Sequence, residues 1–253
     1  MRTLLWTALT FSSFTAWAQA PFITYHADLM RVLGSDQVQV SAEIHWEALP
    51  GDIEDAPIVW QFPKTIPGTY ATEDYGKYIK GLEAYKSDGT PIKVRKKGEN
   101  SFKLSALPDR ITYRVNDTYD ARVRKNHIFE LAGTNIAERE NFLLNNAGFF
   151  GYFPGYEQEP VDVQLHYPGN MVGVSALPSQ VDQGPAMYLG DNRIQSFQAR
   201  DYHHLMDCPI MVTEPDTTSF HVANCKVTLS VYSESGRPLS AAIYDEVKVS
   251  MEA

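Results

Sequence analysis

Residues 37–46 alternate without interruption. Val38, Val40, Ala42, Ile44 and Trp46 fall on one side of the pattern, and Gln37, Gln39, Ser41, Glu43 and His45 on the other. A period of two over ten residues suits a strand with one buried and one wet face, and a helix cannot use it. The same theme recurs. Residues 58–62 read as a strand stopped by Pro63. Residues 79–85 and 91–95 flank Ser87-Asp88-Gly89-Thr90, a hairpin turn with glycine where positive φ is cheap. Residues 102–104, 110–116, 161–167 and 195–199 continue the series, punctuated by prolines and glycines. The expected fold is mainly β, an antiparallel β-sandwich or saddle.

Little of this region reads as helix. Residues 135–145 suggest a short one, with Asn135 as N-cap and Glu138 three residues on. The end of the chain differs. Residues 226–232 form a strand and 234–238 a turn, with Ser240 as the next N-cap. Ile243, Val247 and Met251 then recur at i, i+4 and i+8, the apolar seam of a helix. No internal repeat, linker or low-complexity segment interrupts the chain.

Residues 1–18 read as a secretory signal. Arg2 supplies the positive start, residues 4–17 an uncharged and largely apolar run, and Ala16-Trp17-Ala18 the small residues before cleavage. The run is short of the ~20 apolar residues of a membrane span; a retained anchor is the alternative. The mature chain is therefore expected outside the cytoplasm, in a bacterial periplasm, with no stable membrane insertion. Without Arg2 it holds 21 basic and 31 acidic residues. Such a balance argues against a nucleic-acid partner, which needs a basic surface. Lys93, Arg95, Lys96 and Lys97 form the one basic cluster and read as the decoration of a hairpin end. Cys208 and Cys225 form a disulfide or remain two free thiols; export favours the bond, and spacing alone does not decide.

The stretch 127–153 concentrates glycine, asparagine and aromatic residues. Ala132-Gly133-Thr134-Asn135 and Asn145-Asn146-Ala147-Gly148 read as turns, and Phe149, Phe150, Tyr152 and Phe153 follow at once. A second stiff loop, from Phe62 through Pro63, Pro67 and Gly68, presents Tyr70 and the aromatics of Tyr75-Gly76-Lys77-Tyr78. Together these loops suit gripping an extended peptide or lining a cleft, or else their aromatics fill a core. The machinery of hydrolysis is missing. There is no HExxH, no G-x-S-x-G and no Gly-rich phosphate loop. Two cysteines alone make a poor zinc site. His203 and His204, read as strand neighbours, would point to opposite faces; His26, His45 and His166 fall on the wet sides of strands. His127 alone opens the special segment, and a structural hydrogen-bonding role is favoured for it.

Four strings resemble the glycyl aminopeptidase family, family sixty-one of the metallopeptidases. They are FPKTIPGTY at 62–70, IFELAGTNI at 128–136, NNAGFFGYF at 145–153 and ARDYHHLMDCPIM at 199–211. Leu131 stands where the family usually has proline, and Asn146-Ala147 where it has Thr-His. The resemblance implies an N-terminal β domain over residues 19–200, then the β layer and first helix of a thermolysin-like zinc domain over 201–253. The zinc-binding HExxH would lie beyond residue 253. On this reading the chain holds no catalytic or metal-binding residue and is inactive alone without stoichiometric zinc. Zinc belongs to the complete family enzyme, where metal-bound water would act as nucleophile. The candidate substrate-binding residues are Tyr70, Glu130, Asn135 and Asn145. The expected partners are peptide substrate or the missing catalytic domain. The alternative is a stand-alone periplasmic β module that binds peptide or a partner protein.

Overall fold

The computed structural model describes residues 20–34, 36–49, 58–68, 71–119, 128–183 and 191–252. The signal expected over 1–18, Tyr70 and His127 lie outside the described residues.

The first eight strands are β1 (Ile23–Leu33), β2 (Gln37–Ile44), β3 (Val59–Gln61), β4 (Ile79–Tyr85), β5 (Pro91–Ile92), β6 (Val94–Lys97), β7 (Ser101–Leu104) and β8 (Arg110–Asn116). Then come β9 (Asn135–Ala137), β10 (Asn141–Leu144), helix α1 (Asn146–Phe149), β11 (Val161–Pro168), β12 (Val172–Val174), β13 (Ser179–Gln183) and β14 (Asn192–Ala199). The chain continues with α2 (Tyr202–Asp207), β15 (Ile210–Thr213), β16 (Asp216–Val222), β17 (Cys225–Val231) and α3 (Ser240–Glu252). An eight-stranded sheet runs β13-β14-β11-β1-β2-β8-β4-β5, all antiparallel except β1 beside β11. Smaller sheets are β3-β7-β6, β12-β15-β10-β9 and the β16–β17 hairpin. The mainly antiparallel β fold expected from the alternation is present.

The alternation fixes which face of the large sheet is dry. Tyr25, Ala27 and Leu29 on β1, Val38, Val40 and Ala42 on β2, Ile111, Tyr113 and Val115 on β8, and Val163 and Leu165 on β11 are all buried. Trp60, Phe62 and Phe102 from the small sheet and Phe149, Phe150 and Phe153 close over them. Trp60 meets Phe153 edge-on at 4.9 Å and Phe62 meets Tyr113 at 5.3 Å, geometries that aromatic quadrupoles favour. The same core continues through Tyr202, Leu205, Ile210 and Val212.

Several expectations are corrected. Residues 135–145 do not form a helix. They form the β9–β10 hairpin, turned at Arg139 with φ +63°, and β10 pairs with β15 along its whole length. Pairing across about seventy residues outweighs a local helical pattern, because Phe142 and Leu144 gain burial on a sheet that a short helix could not supply. Trp46 leaves the strand register for a 3-10 turn, and its indole donates to the Pro108 carbonyl at 2.7 Å. Residues 91–95 divide at Lys93. Ile92 pairs with Ala84 in the large sheet, and the following residues pair with β7 in the small one. His203 and His204 lie on α2 rather than on a strand.

Cys208 and Cys225 are not joined. Cys208 is buried just past α2, whereas Cys225 is exposed at the tip of the β16–β17 hairpin. The seven paired positions of that hairpin set the tip about 20 Å from its base. Helix α3 starts at Ser240 as expected, but its cap comes from another element. The Asp216 carboxylate accepts from Ser240 N at 2.6 Å and Ser240 Oγ at 2.9 Å. Tyr244 packs edge-on against Phe220, while Ile243, Val249 and Met251 stay exposed. Among the described residues no helix is long and apolar enough to cross a membrane.

Candidate functional site

The four strings meet in one place. In the first, Phe62 is in the core, and the chain after it folds back so that the Lys64 carbonyl accepts from Glu73 N at 3.0 Å and Asp74 N at 2.9 Å. Asp74 takes the left-handed conformation with φ +50°. Asn100 secures this turn, accepting from Gly76 N at 2.9 Å and donating to Asp74 Oδ1 at 2.8 Å. Gly76 is required by close approach, since a Cβ there would lie 2.3 Å from the Glu99 carbonyl oxygen. The turn aims Tyr75 at the second string, and its hydroxyl donates to the Ala132 carbonyl at 2.9 Å.

The second string is anchored by the end of β8. Thr134 N donates to Thr118 Oγ1 at 2.7 Å, and Asp117 accepts from Ile136 N at 2.5 Å and Tyr119 N at 2.6 Å. Asp117 is a buried carboxylate with two backbone donors.

The third string is fastened by its backbone. Tyr113 Oη donates to the Phe149 carbonyl at 2.8 Å, Tyr202 Oη to Phe150 at 2.6 Å, and Tyr25 Oη to Gly151 at 2.6 Å. Burial pushes all three hydroxyls well above the usual tyrosine range, so they remain neutral donors. Phe149, Phe150 and Phe153 are core residues, and Gly148 lies against the Tyr75 ring. Ala147, at the place of the family's histidine, is fully buried.

The fourth string closes the junction. Asp201 caps α2 by accepting from His204 N at 2.7 Å. Asn146 Nδ2 donates to the carbonyls of Leu205 and Cys208, both at 2.7 Å. Asn146 Oδ1 is buried without a partner.

The sequence-selected residues divide accordingly. Asn135 begins β9 and is half-buried; Asn145 precedes α1 in an extended conformation and makes no side-chain cap bond. Asn135 pairs with Leu143, and Asn145 lies two residues beyond that partner, just past the end of β10. Glu130 opens a 3-10 turn over 130–132. Phe129 and Leu131 beside it are 58% and 82% exposed. Sequence reasoning missed Glu73. Glu73 is 2% exposed with Oε1 unpartnered. Burial first and the Glu73 charge second hold the Tyr75 hydroxyl above its usual range. No periodicity marks Glu73, and only its place after the first string could have drawn attention to it. Of the histidines, His26 and His45 are partly exposed, and His166 lies 2.8 Å from Asn192 Oδ1.

The junction can present amide groups and apolar tips on a stiff frame. Among the described residues it holds no nucleophile hydrogen-bonded to a base. Among the described residues no three His, Cys, Asp or Glu side chains are gathered to hold a metal.

Comparison with known proteins agrees with the fold. The model of the Peptidase M61 N-terminal domain matches residues 25–214. No curated protein matches. Among solved structures, an aminopeptidase N family protein from Idiomarina loihiensis is similar at 20% identity and a TM-score of 0.68, over 90% of this chain and 35% of that one. That likeness speaks to the fold alone. An M1 zinc metallopeptidase mutant from Deinococcus radiodurans, bound to a Tyr-Ser-Ala substrate, aligns at 12% identity and a TM-score of 0.46, over 85% of this chain and 48% of that one. This second likeness is too slight to build on. The chain thus spans about a third to a half of the length of these proteins. The family match runs through all four strings and over most of the chain, and the chain belongs to the peptidase M61 family as its N-terminal domain.

Proposed function

We propose that this chain is the non-catalytic N-terminal part of an exported zinc aminopeptidase-like protein, walling the cleft and helping to position the peptide. The observation behind this reading is the junction itself. Four distant strings brace one another's backbones and leave Asn135 and Asn145 only half-buried. Rigid loops that offer amide donors and acceptors can hold an extended peptide backbone without performing chemistry on it. Hydrolysis would come from residues outside this chain. Exposed Ile243 and Met251, with half-buried Val247 between them, lie on one stripe of α3 that suits docking of such a further polypeptide.

The test uses the complete enzyme. Asn135→Ala and Asn145→Ala should each raise KM for a dipeptide substrate several-fold with kcat little changed, as expected when binding shared by ground and transition state is lost. Unchanged kinetics in both variants would remove the positioning role. The isolated chain should show no aminopeptidase turnover and no stoichiometric zinc by metal analysis. Export is tested by N-terminal sequencing of the periplasmic form, which should begin at Gln19.

A further inference from the structure

The outer face of the β3-β7-β6 sheet is basic on a protein of net charge −9. Along β6 the side chains alternate. Lys96 turns inward, where its ammonium lies 5.4 Å from the Phe102 ring centroid and donates to the Gly76 carbonyl at 3.2 Å. Arg95 and Lys97 therefore face outward, and exposed Lys93 immediately precedes the strand. On β7, Phe102 and Leu104 are buried, which puts Lys103 on the outer face, and the register sets it directly opposite Arg95. Lys93, Arg95, Lys97 and Lys103 are all exposed, and none is in an ion pair among the described residues.

Like charges directly opposite one another on a sheet oppose its pairing. Lysines on an edge strand can be explained as guards against aggregation. That explanation covers β6 but not Lys103, because β7 is the central strand of this sheet. The backbone positions that carry these cations lie about 7 Å apart along a strand and about 5 Å apart across strands, on an open sheet face. A discrete small anion is usually held in a concave site, whereas an open sheet face matches a plane of phosphates.

We propose that this face docks the protein on an anionic phospholipid surface. Such attraction is worth about fivefold in partitioning per cation near the bilayer and acts over about 8 Å at physiological salt. It therefore operates locally although the whole protein is acidic.

The test is co-sedimentation of the full chain with vesicles at low salt. One set contains 30% phosphatidylglycerol in phosphatidylcholine, and the other is phosphatidylcholine alone. Two charge-matched variants are compared. One carries Lys93→Gln, Arg95→Gln, Lys97→Gln and Lys103→Gln. The control carries Arg31→Gln, Lys86→Gln, Lys226→Gln and Arg237→Gln, all exposed positions elsewhere. Binding to anionic vesicles should fall at least a hundredfold in the first variant, stay within threefold in the control, and disappear in 0.5 M salt. Equal partitioning into both vesicle types, or equal loss in both variants, would overturn the proposal. Stronger binding to soluble polyglutamate than to vesicles would overturn it as well, by identifying an acidic polypeptide as the partner.

Discussion

Replacing Asn146 tests whether the junction is held as described. The side chain is fully buried and donates twice, to the last turn of α2 and to the residue after it. Asn146→Ala removes two hydrogen bonds worth about 1 kcal/mol each. Both carbonyls keep a second, longer partner: Leu205 O accepts from Cys208 N at 3.3 Å, and Cys208 O from Ser175 Oγ at 3.2 Å. Full penalties for orphaned carbonyls therefore do not apply. The deleted amide leaves a small cavity costing about 1–2 kcal/mol, and loss of the partnerless Oδ1 relieves roughly 1 kcal/mol. The sum is a destabilisation of about 2–3 kcal/mol, measurable by urea unfolding followed through tryptophan fluorescence. Asn146→Asp sharpens the test. It keeps the shape but points an acid at two carbonyl oxygens, so the folded state tolerates only the protonated form. A folded pKa raised above the unfolded ~3.9 means stability that is present below that value and lost as pH rises through the folded pKa. The Asp variant should thus be most stable in acid, still short of the wild type because its single O–H reaches only one of the two carbonyls, and fall away by pH 7, while the Ala variant keeps a constant deficit. A loss under about 0.5 kcal/mol for Ala, or a flat pH profile for Asp, would refute the described contacts.

Tyr25→Phe, Tyr113→Phe and Tyr202→Phe should each cost about 1–2 kcal/mol in the same unfolding assay, because each leaves a buried carbonyl without its hydroxyl. Gly76→Ala should prevent stable folding or shift the 74–76 turn visibly in amide NMR spectra, since the new methyl group meets backbone rather than a movable side chain. Backbone and hydroxyl bonds from Ser240 hold the Asp216 carboxyl below the usual carboxylate range. A depressed folded pKa gives stability that is present above about pH 4 and is lost as pH falls through the folded value. Docking of α3 on the β16–β17 hairpin should therefore loosen in acid, read as loss of the Tyr244–Phe220 ring-current shift, and Asp216→Asn should flatten that dependence.

The long strands were legible because one face is wet and the other dry, so burial is written into every second letter of β1, β2, β8 and β11. The β9–β10 hairpin was not. Asn141, Phe142 and Leu144 are all buried, which erases the alternation, and the partner that decides the outcome, β15, is far away in sequence. Asn135 and Asn145 could be singled out from the loop composition and the strings around them. Glu73 could not, because its burial comes from the chain folding back on the Lys64 carbonyl. The tyrosine hydroxyls were equally hidden. In the pattern Tyr25 and Tyr113 are simply large residues on the dry face, and their acceptors lie 126 and 36 residues away.

Those hydroxyls also bear on the order of assembly. Residues 149–151 are tied by β1, by β8 and by α2, elements that run from the first strand of the fold, which starts at Ile23, to a helix that starts at Tyr202. None of the three ties is local, and each requires closing a long stretch of chain before it is rewarded. This backbone should therefore set late in folding, after the large sheet has paired and α2 has docked. Until then, one of the most aromatic segments of the chain remains exposed to solvent and to other chains, which makes the interval before those ties form the period of greatest aggregation risk.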